Sequence, residues 1–240
     1  MKLIGIKEIK GKIILKSGLH IGSGNMEMKI GGTDSPVIKH PHTLEPYIPG
    51  SSLKGKVRSL LELESGLVPF ASESGGLVTV KVLKSLKDES LRKKAEAILK
   101  IFGSSGSESD EEIILGPTRV SFADCYLNKE WKEKAQAYRW QLIEVKAENS
   151  MDRIRGTVST AGPRFIERVP EGTEFDFTIT FKILEDGDET LFEYLLKGLK
   201  LLEMDSIGGN GSRGYGRIKF EFNDDIIKEM FDKASLFYKE

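Results

Sequence analysis

A single carboxylate, Asp34, lies in the segment IGGTDSPVI, with two glycines before it and a proline close behind. Glycine lets the backbone turn and proline stiffens the exit, so this segment predicts an exposed loop. An exposed carboxylate there can bind a divalent metal ion or accept a proton. The alternative is a turn in which the side chain of Asp34 bonds its own backbone, and the local pattern leaves both interpretations open.

The segment 208–216, GGNGSRGYG, is rich in glycine and also carries a cation and an aromatic ring. Amides bare of side chains can approach phosphates closely, and the ring can stack on a base. The spacing matches a dinucleotide motif, but the predicted order here is helix, loop, strand, which is the wrong context for that motif. A flexible connection remains the alternative. The candidate residues for nucleic-acid binding are Gly209, Gly211, Arg213, Gly214 and Tyr215.

The segment IPGSSLKGKVR places two hydroxyls and three cations at the start of a predicted helix. Cations are unfavourable at that end of the helix dipole, whereas the exposed amides favour an external anion such as a phosphate. A solvated polar face is the alternative. The candidates for phosphate binding are Ser51, Ser52, Lys54 and Arg58.

A basic segment, ENSMDRIRGTVSTAGPRFIERVP, mixes arginines with apolar residues. This composition suits a projection that holds RNA and wedges between its bases, and a subunit interface is the competing explanation. The candidate arginines are Arg153, Arg155 and Arg164. His20 is a candidate RNA contact, while His40 and His42 predict a hairpin tip instead of a metal site.

Periodicity predicts the elements that position these segments. Residues 2–15 alternate as a strand or as a hairpin broken at Gly11, and a helix capped by Ser51 or Ser52 ends at Gly66. The later patterns are a helix over 88–101, a strand over 175–183, a helix over 191–202 and a strand over 218–222. This order predicts an α+β fold with a modified RRM or ferredoxin-like core and long insertions.

The bulk composition excludes several classes of protein. The formal net charge is -1, so nucleic-acid binding has to come from local basic clusters. One cysteine excludes an internal disulfide framework and a cysteine zinc cluster. No apolar run approaches the ~18 residues of a membrane span, which predicts a cytoplasmic protein. No histidine, cysteine or paired-carboxylate constellation favours a small-molecule enzyme.

Several segments together, in one order, resemble the RAMP superfamily, and within it the repeated backbone subunits of type III-A (Csm) CRISPR effector complexes. The segments are GLHIGSG, IGGTDSPVI, PYIPGSSLKGKVRSLLE, GPTRVSFADCYL, ENSMDRIRGTVSTAGPRFIERVPEGTEF and GGNGSRGYGRIKF. The resemblance implies one elaborated domain over 1–240, with palm, fingers and a thumb-like hairpin near 149–168. Its core would come mainly from 1–20, 50–66 and 174–222, with insertions at 21–49 and 67–170.

The resemblance also implies roles for these residues. Asp34 matches the catalytic aspartate of the family and would position a divalent ion, Mg or Mn, or assist proton removal. His20, the start of the helix after Pro49 and the glycine loop match the places where the family holds guide RNA. The thumb would kink the guide–target duplex at regular intervals.

The implied function is metal-dependent cleavage of guide-bound target RNA in antiviral defence. The implied partners are guide CRISPR RNA, single-stranded target RNA, copies of the chain stacked head to tail and other Csm subunits, without a membrane. Two alternatives stay open: a non-catalytic RNA-binding structural subunit, and a guide-processing endonuclease of the same superfamily.

Overall fold

The structure is a computed structural model that describes residues 2–24, 35–104, 115–159 and 162–236. In chain order its elements are β1 (Gly5–Leu15), α1 (Gly50–Glu64), α2 (Val80–Ser85), α3 (Glu89–Phe102), β2 (Val120–Phe122), α4 (Lys129–Ala137), β3 (Glu144–Glu148), β4 (Met151–Asp152), β5 (Thr157–Val158), β6 (Arg164–Arg168), β7 (Glu174–Ile183), α5 (Asp188–Met204), β8 (Ile218–Phe222) and α6 (Asp225–Lys233). Short 3₁₀ helices cover Val68–Ser74 and Gly211–Arg213.

The core is one antiparallel sheet in the order β2-β7-β1-β8. With α1 between β1 and β2 and α5 between β7 and β8, these elements follow the β-α-β-β-α-β sequence of a ferredoxin-like unit. The predicted α+β fold with an RRM-like core is therefore confirmed. The strand β2 lies inside the range predicted as an insertion, because a strand of three residues is too short to show alternation.

The first strand is continuous, so the predicted break at Gly11 is wrong. Gly11 pairs with Phe177 on one side and Phe222 on the other. A β-carbon at this position would lie 1.9 Å from the carbonyl oxygen of Glu221 in β8. The glycine therefore marks a close approach of two backbones, which is one recognised use of glycine inside a strand.

The two faces of the sheet differ in chemistry. Phe175, Phe177, Ile179 and Phe181 of β7 point to the helices and are at most 2% exposed, as their alternation predicts. On the other face, the described side chains of the four strands are polar or aliphatic, and Lys12 pairs with Glu174 at 3.2 Å. An RRM stacks RNA bases on aromatic residues of that face. The described part of this chain has no such stacking surface on its open sheet face.

The helix α1 does not begin as predicted. Its N-cap is Pro49, and neither Ser51 nor Ser52 supplies a capping hydrogen bond. Instead, the N–H of Gly50 donates to Oδ1 of Asp124 at 2.8 Å. A carboxylate of the chain itself thus takes part of the role that the sequence assigned to an external anion. The helix predicted over 88–101 is confirmed as α3, capped by Asp88.

A long hairpin projects from the core between α4 and β7. Its stem pairs β3 with β6, from Glu144 with Arg168 to Glu148 with Arg164, and its outer part pairs β4 with β5. The hairpin corresponds to the predicted thumb, but its first strand begins at Glu144 rather than near Asn149. We refer to β3 and β6 as the thumb stem.

The structure also describes the single cysteine and the helices, on which the expectations from composition depended. Cys125 is fully buried, and burial raises the pKa of its thiol to about 12, so the thiol stays protonated at neutral pH. None of the helices in the described ranges has the length and apolar character that a bilayer-spanning helix needs.

A buried ion pair fixes the chain where β7 leads into α5. Arg119 is 0% exposed, and its Nη2 donates to Glu185 at 2.9 Å. Its Nε lies 3.5 Å from Oδ2 of Asp188, a carboxylate that is 1% exposed. The same guanidinium donates to the carbonyls of Leu115 and Pro117. This cation holds three segments together.

We expect Arg119→Met to lower the free energy of unfolding by about 3–5 kcal/mol, because it leaves Asp188 buried without its counter-ion. Urea titration followed by circular dichroism measures the change. Arg92→Met, on an exposed position of α3, is the matched control and should change stability by less than about 0.5 kcal/mol. Equal losses in the two variants would contradict the structural role of Arg119.

Candidate nucleic-acid interface

The glycine loop is packed against the chain just after β1. Gly209 donates its N–H to the carbonyl of His20 at 2.8 Å, and Gly216 donates to that of Gly18 at 3.0 Å. Gly208 has φ 80°, and a β-carbon there would lie 2.3 Å from the oxygen of His20. Only glycine suits such a position, so the loop is not merely a flexible connection.

The predicted phosphate-binding amides are only partly available. The N–H of Gly209 is bonded to His20, and the N–H of Gly214 donates to the carbonyl of Gly211 at 2.9 Å. Among the described residues, only the N–H of Gly211 of these three has no protein acceptor. Two of the three predicted amide donors therefore already stabilise the loop in this arrangement.

Tyr215 is 1% exposed, so the expectation of a ring free to stack on a base is wrong. Its hydroxyl donates to Oε1 of Glu148 at 2.7 Å. Lys146 and Arg168 cover the ring at 5.0 and 5.1 Å from its centroid. Arg213, half exposed, donates to Oε2 of the same Glu148 at 2.6 Å. We call this cluster of Glu148, Tyr215, Arg213, Lys146 and Arg168 the thumb junction.

At the thumb junction, Glu148 is ionised and Tyr215 is protonated at neutral pH. The hydrogen bond from Tyr215, with Arg213 and Lys146 nearby, holds the pKa of Glu148 below its usual range. Burial and the bond to Glu148 raise the pKa of Tyr215. A lowered carboxyl pKa stabilises the fold above the ordinary glutamate value and loses that contribution as the pH falls through the lowered value.

His20 and the chain near Asp34 meet at the second strand of the thumb stem. Nδ1 of His20 lies 2.7 Å from the carbonyl oxygen of Glu167, so this nitrogen donates and the neutral ring keeps Nε2 as an acceptor. Asp34 itself lies outside the described residues. Ser35 forms an isolated parallel β-bridge with Ile166, and the carbonyl of Ser35 accepts a hydrogen bond from the N–H of Glu167 at 3.0 Å.

Glu167 is a residue whose role the sequence did not indicate. Its Oε2 accepts from the N–H of Val37 at 3.1 Å and pairs with Lys39 at 2.9 Å. Its main chain holds Ser35 and His20 at the same time. A glutamate in a short alternating strand resembles any solvated residue, so only the tertiary contact shows its function as an anchor.

Arg58, a predicted RNA contact, has its guanidinium bonded within the fold. Its Nε donates to Glu62 at 2.9 Å, its Nη1 to the carbonyl of Gly103 at 3.0 Å and its Nη2 to that of Val78 at 2.8 Å. The side chain is only 14% exposed. The fork-shaped guanidinium is occupied by three acceptors of the chain, so it stabilises the packing of α1 instead.

Lys54 keeps the character that the sequence predicted. It is half-buried, and no acidic partner of its ammonium lies among the described residues. Burial, aided by the charge of Arg58, lowers its pKa. Ser51 is exposed and Ser52 half-buried in the same turn. One turn on, Lys56 pairs with Asp205 at 2.7 Å, which ties the start of α1 to the chain that enters the glycine loop.

The tip of the thumb exposes basic and apolar side chains together. Arg153, Ile154 and Arg155 form the turn between β4 and β5, and Ile154 is 98% exposed. Oδ1 of Asp152 accepts from the N–H groups of Ile154 and Arg155 at 3.0 and 3.1 Å, which fixes the turn. Arg164 is exposed at the start of β6, away from this tip. Arg153 and Arg155 therefore lie at the tip, whereas Arg164 pairs across the thumb stem with Glu148 of the thumb junction.

Metal ligands are sparse in the part of the chain that the structure describes. No group of three or more His, Cys, Asp or Glu residues there could hold a metal ion. Glu167, the carboxylate next to Ser35, is already paired with Lys39. The predicted ligand Asp34 lies outside the described ranges, so the divalent ion stays a prediction.

Comparison with known proteins identifies the family. The model of the RAMP superfamily matches residues 12–219. A Csm3 endoribonuclease of a CRISPR system from Methanothermobacter thermautotrophicus is 41% identical, covering 89% of this chain and 82% of that protein. One from Enterococcus italicus is 36% identical, covering 96% and 97%. The crystal structure of a Csm3–Csm4 subcomplex matches with TM-score 0.53 and 31% identity, over 92% of this chain and 78% of that one. The chain belongs to the RAMP superfamily, in which the Csm3 proteins are its relatives.

Proposed function

We propose that this chain is a guide-RNA-binding backbone subunit of a type III-A CRISPR interference complex and that it cleaves guide-bound target RNA. The relatives at 36–41% identity are named as CRISPR endoribonucleases, and the matched subcomplex comes from a type III-A interference complex. Its partners are then guide CRISPR RNA, target RNA, further copies stacked head to tail and other Csm subunits, in the cytoplasm.

One observation carries this proposal. Ser35, the residue next to Asp34 in sequence, is bonded to the thumb stem beside the glycine loop and His20. Three segments far apart in sequence therefore converge near the chain neighbour of the proposed catalytic residue. Such convergence of a carboxylate segment with a half-buried imidazole acceptor and a basic hairpin suits a nuclease site better than a solitary surface turn.

Binding depends on local charge. Lys54, which has no acidic partner among the described residues, and the hydroxyl of Ser51 can bind RNA phosphates, and the N–H of Gly211, without an acceptor in the same ranges, offers a third donor. Nε2 of His20 is an acceptor suited to a ribose 2′-hydroxyl, which DNA lacks. These contacts position a strand without reading its sequence, which fits a subunit that delegates recognition to a guide.

The thumb would supply the distortion that cleavage needs. In a regular A-form helix the 2′-oxygen is not in line with the scissile bond, whereas a wedge such as Ile154 can unstack a base and align these atoms. The target 2′-oxygen then attacks the adjacent phosphorus as the bond from phosphorus to the 5′-oxygen breaks. The proton of the 2′-hydroxyl leaves to a base, a role open to Asp34, and the departing 5′-oxygen takes up a proton.

Asp34→Ala in the reconstituted complex should leave assembly and target binding unchanged and lower the rate of target cutting by at least about 100-fold, the lower range for the loss of an acid–base group. Single-turnover cleavage of labelled target RNA measures the rate. Asp186→Ala, an exposed carboxylate in the turn before α5, is the control. Cutting at the normal rate in the Asp34 variant would remove this residue from the mechanism.

We also propose that cutting requires Mg or Mn. A magnesium ion is commonly held by one or two carboxylates together with substrate phosphates, so Asp34 with the RNA itself meets this requirement. Such an ion would stabilise the charge on the reacting phosphate. Chelation should stop cutting but not target binding, and added Mg or Mn should restore it. Undiminished cleavage in excess chelator would refute the metal requirement while leaving the nuclease assignment intact.

The contrast between Lys54 and Arg58 gives a test of the interface. Lys54→Gln should weaken RNA binding and reduce the slope of log affinity against log salt by about one, as expected for the loss of one phosphate contact. Arg58→Gln should leave that slope unchanged and lower the melting temperature, because its donors are used inside the chain. Filter binding over a salt series, with thermal unfolding in parallel, separates the two. The reverse pattern would overturn the proposed path of the RNA.

The two alternatives make different predictions for the same material. A purely structural subunit would give complexes that bind but never cut target RNA in either metal. A guide-processing endonuclease would cut precursor repeat RNA at a specific position as the isolated protein. The names of the relatives favour endonuclease activity over the structural alternative.

A further inference from the structure

Two aromatic residues that the proposed function does not use lie exposed at the end of α4. Tyr138 is 67% exposed and Trp140 46% exposed. Their rings stack at 5.6 Å between centroids with an interplanar angle of 19°. The ring centroid of the buried Trp131 lies 6.1 Å from that of Trp140. We call Tyr138, Arg139 and Trp140 the aromatic platform.

The backbone of the platform is held in a conformation that its residue type disfavours. The N–H of Trp140 donates to the carbonyl of Ala135 at 2.8 Å, which closes the end of α4 around a residue in the left-handed region. That residue is Arg139, with φ 56°. Glycine is the usual residue there, so an arginine costs stability relative to glycine and calls for another reason.

One cation contacts the platform, and a second belongs to it in sequence. Nζ of Lys134 lies 5.7 Å from the centroid of Trp140. Within the described ranges, the guanidinium of Arg139 has no acidic partner. Cations at a helix C-terminus gain a little from its dipole, which accounts for some of this charge but not for the stacked rings.

A cavity of about 420 Å³ adjoins Trp140, with Trp131 and Pro170 among its walls and Gln141 and Glu171 among its polar groups. This volume lies within the ~300–1,000 Å³ range of small-ligand pockets. Carboxylate and amide oxygens there can accept hydrogen bonds from the amino group of a base edge. An aromatic face, a cation and hydrogen-bond acceptors meet at this cavity, since Trp140, Lys134 and Glu171 all line it, and together they match an unpaired nucleotide.

We infer that the aromatic platform is a second RNA contact, which stacks an unpaired base of a single strand outside the region held by the glycine loop. The inference rests on the proposed function only in that the chain handles RNA. The site lies at the base of the thumb stem. Trp140 and Gln141 precede β3, and Pro170 follows β6. A strand gripped along the thumb can therefore continue over the platform. Tyr, Trp and Arg are also enriched at protein interfaces, so the test below includes a protein interface as an outcome.

The platform is testable by fluorescence, because the chain has just two tryptophans, and Trp131 is buried. The full-length chain is titrated with a single-stranded cytidine oligonucleotide of about eight residues, which fits the site sizes of single-strand binders. We expect saturable quenching of Trp140 that is lost in Trp140→Phe. Tyr138→Ala and Arg139→Gly should each weaken the affinity about tenfold, a typical loss for one stacked base.

Controls separate the platform from misfolding and from the loss of any exposed ring. Arg139→Gly should not lower the melting temperature, since glycine is favoured at that position. Phe70→Ala, an equally exposed ring without a stacked neighbour among the described residues, should bind normally.

The following results would each overturn the inference, and they can be told apart from one another. Oligonucleotide binding in a filter assay without quenching, or with normal affinity in Tyr138→Ala, would remove the platform and leave the proposed function intact. No RNA binding by either method would defeat both. Light scattering that shows self-association lost in Tyr138→Ala, without quenching, would identify the surface as an interface between copies.

Discussion

The thumb junction is the interaction on which the arrangement of the interface depends. One carboxylate, Glu148, receives hydrogen bonds from Tyr215 and Arg213 of the glycine loop, while it belongs to the first strand of the thumb. Loop and hairpin are otherwise separate insertions of the core. Because a buried ring and charged donors meet on the same carboxylate, the two insertions are held in one orientation.

A chain with a net charge of -1 can still bind a polyanion if some of its cations have no acidic partner at the binding surface. Most cations near the interface are neutralised within the fold, as Lys39 is by Glu167 and Lys56 by Asp205. Lys54 stands apart because burial has removed water from it without supplying an acid among the described residues. The small net charge therefore says little about where a polyanion would lie.

The sequence predicts long elements well, because their periodicity repeats. The alternation of Phe175 to Phe181 determines which face of β7 is buried, and the stripe of α3 predicts its bounds to within one residue. It fails where tertiary contacts decide. Arg58 and Tyr215 are residue types that commonly bind RNA, yet Tyr215 and two of the three donors of Arg58 bond to acceptors 20 or more positions away in sequence. His20, the glycine loop and Ser35, which the sequence singled out separately, do lie in contact, while their role in RNA binding stays a prediction.

The turn at the tip of the thumb is held by hydrogen bonds within the chain itself. Asp152 locks the backbone of Ile154 and Arg155, so the apolar side chain projects from a fixed base while it is almost wholly hydrated. Burying Ile154 between bases would then remove apolar surface from water without the conformational entropy loss that a floppy loop incurs. The turn that presents Ile154 is therefore preorganised by two hydrogen bonds to one short aspartate side chain.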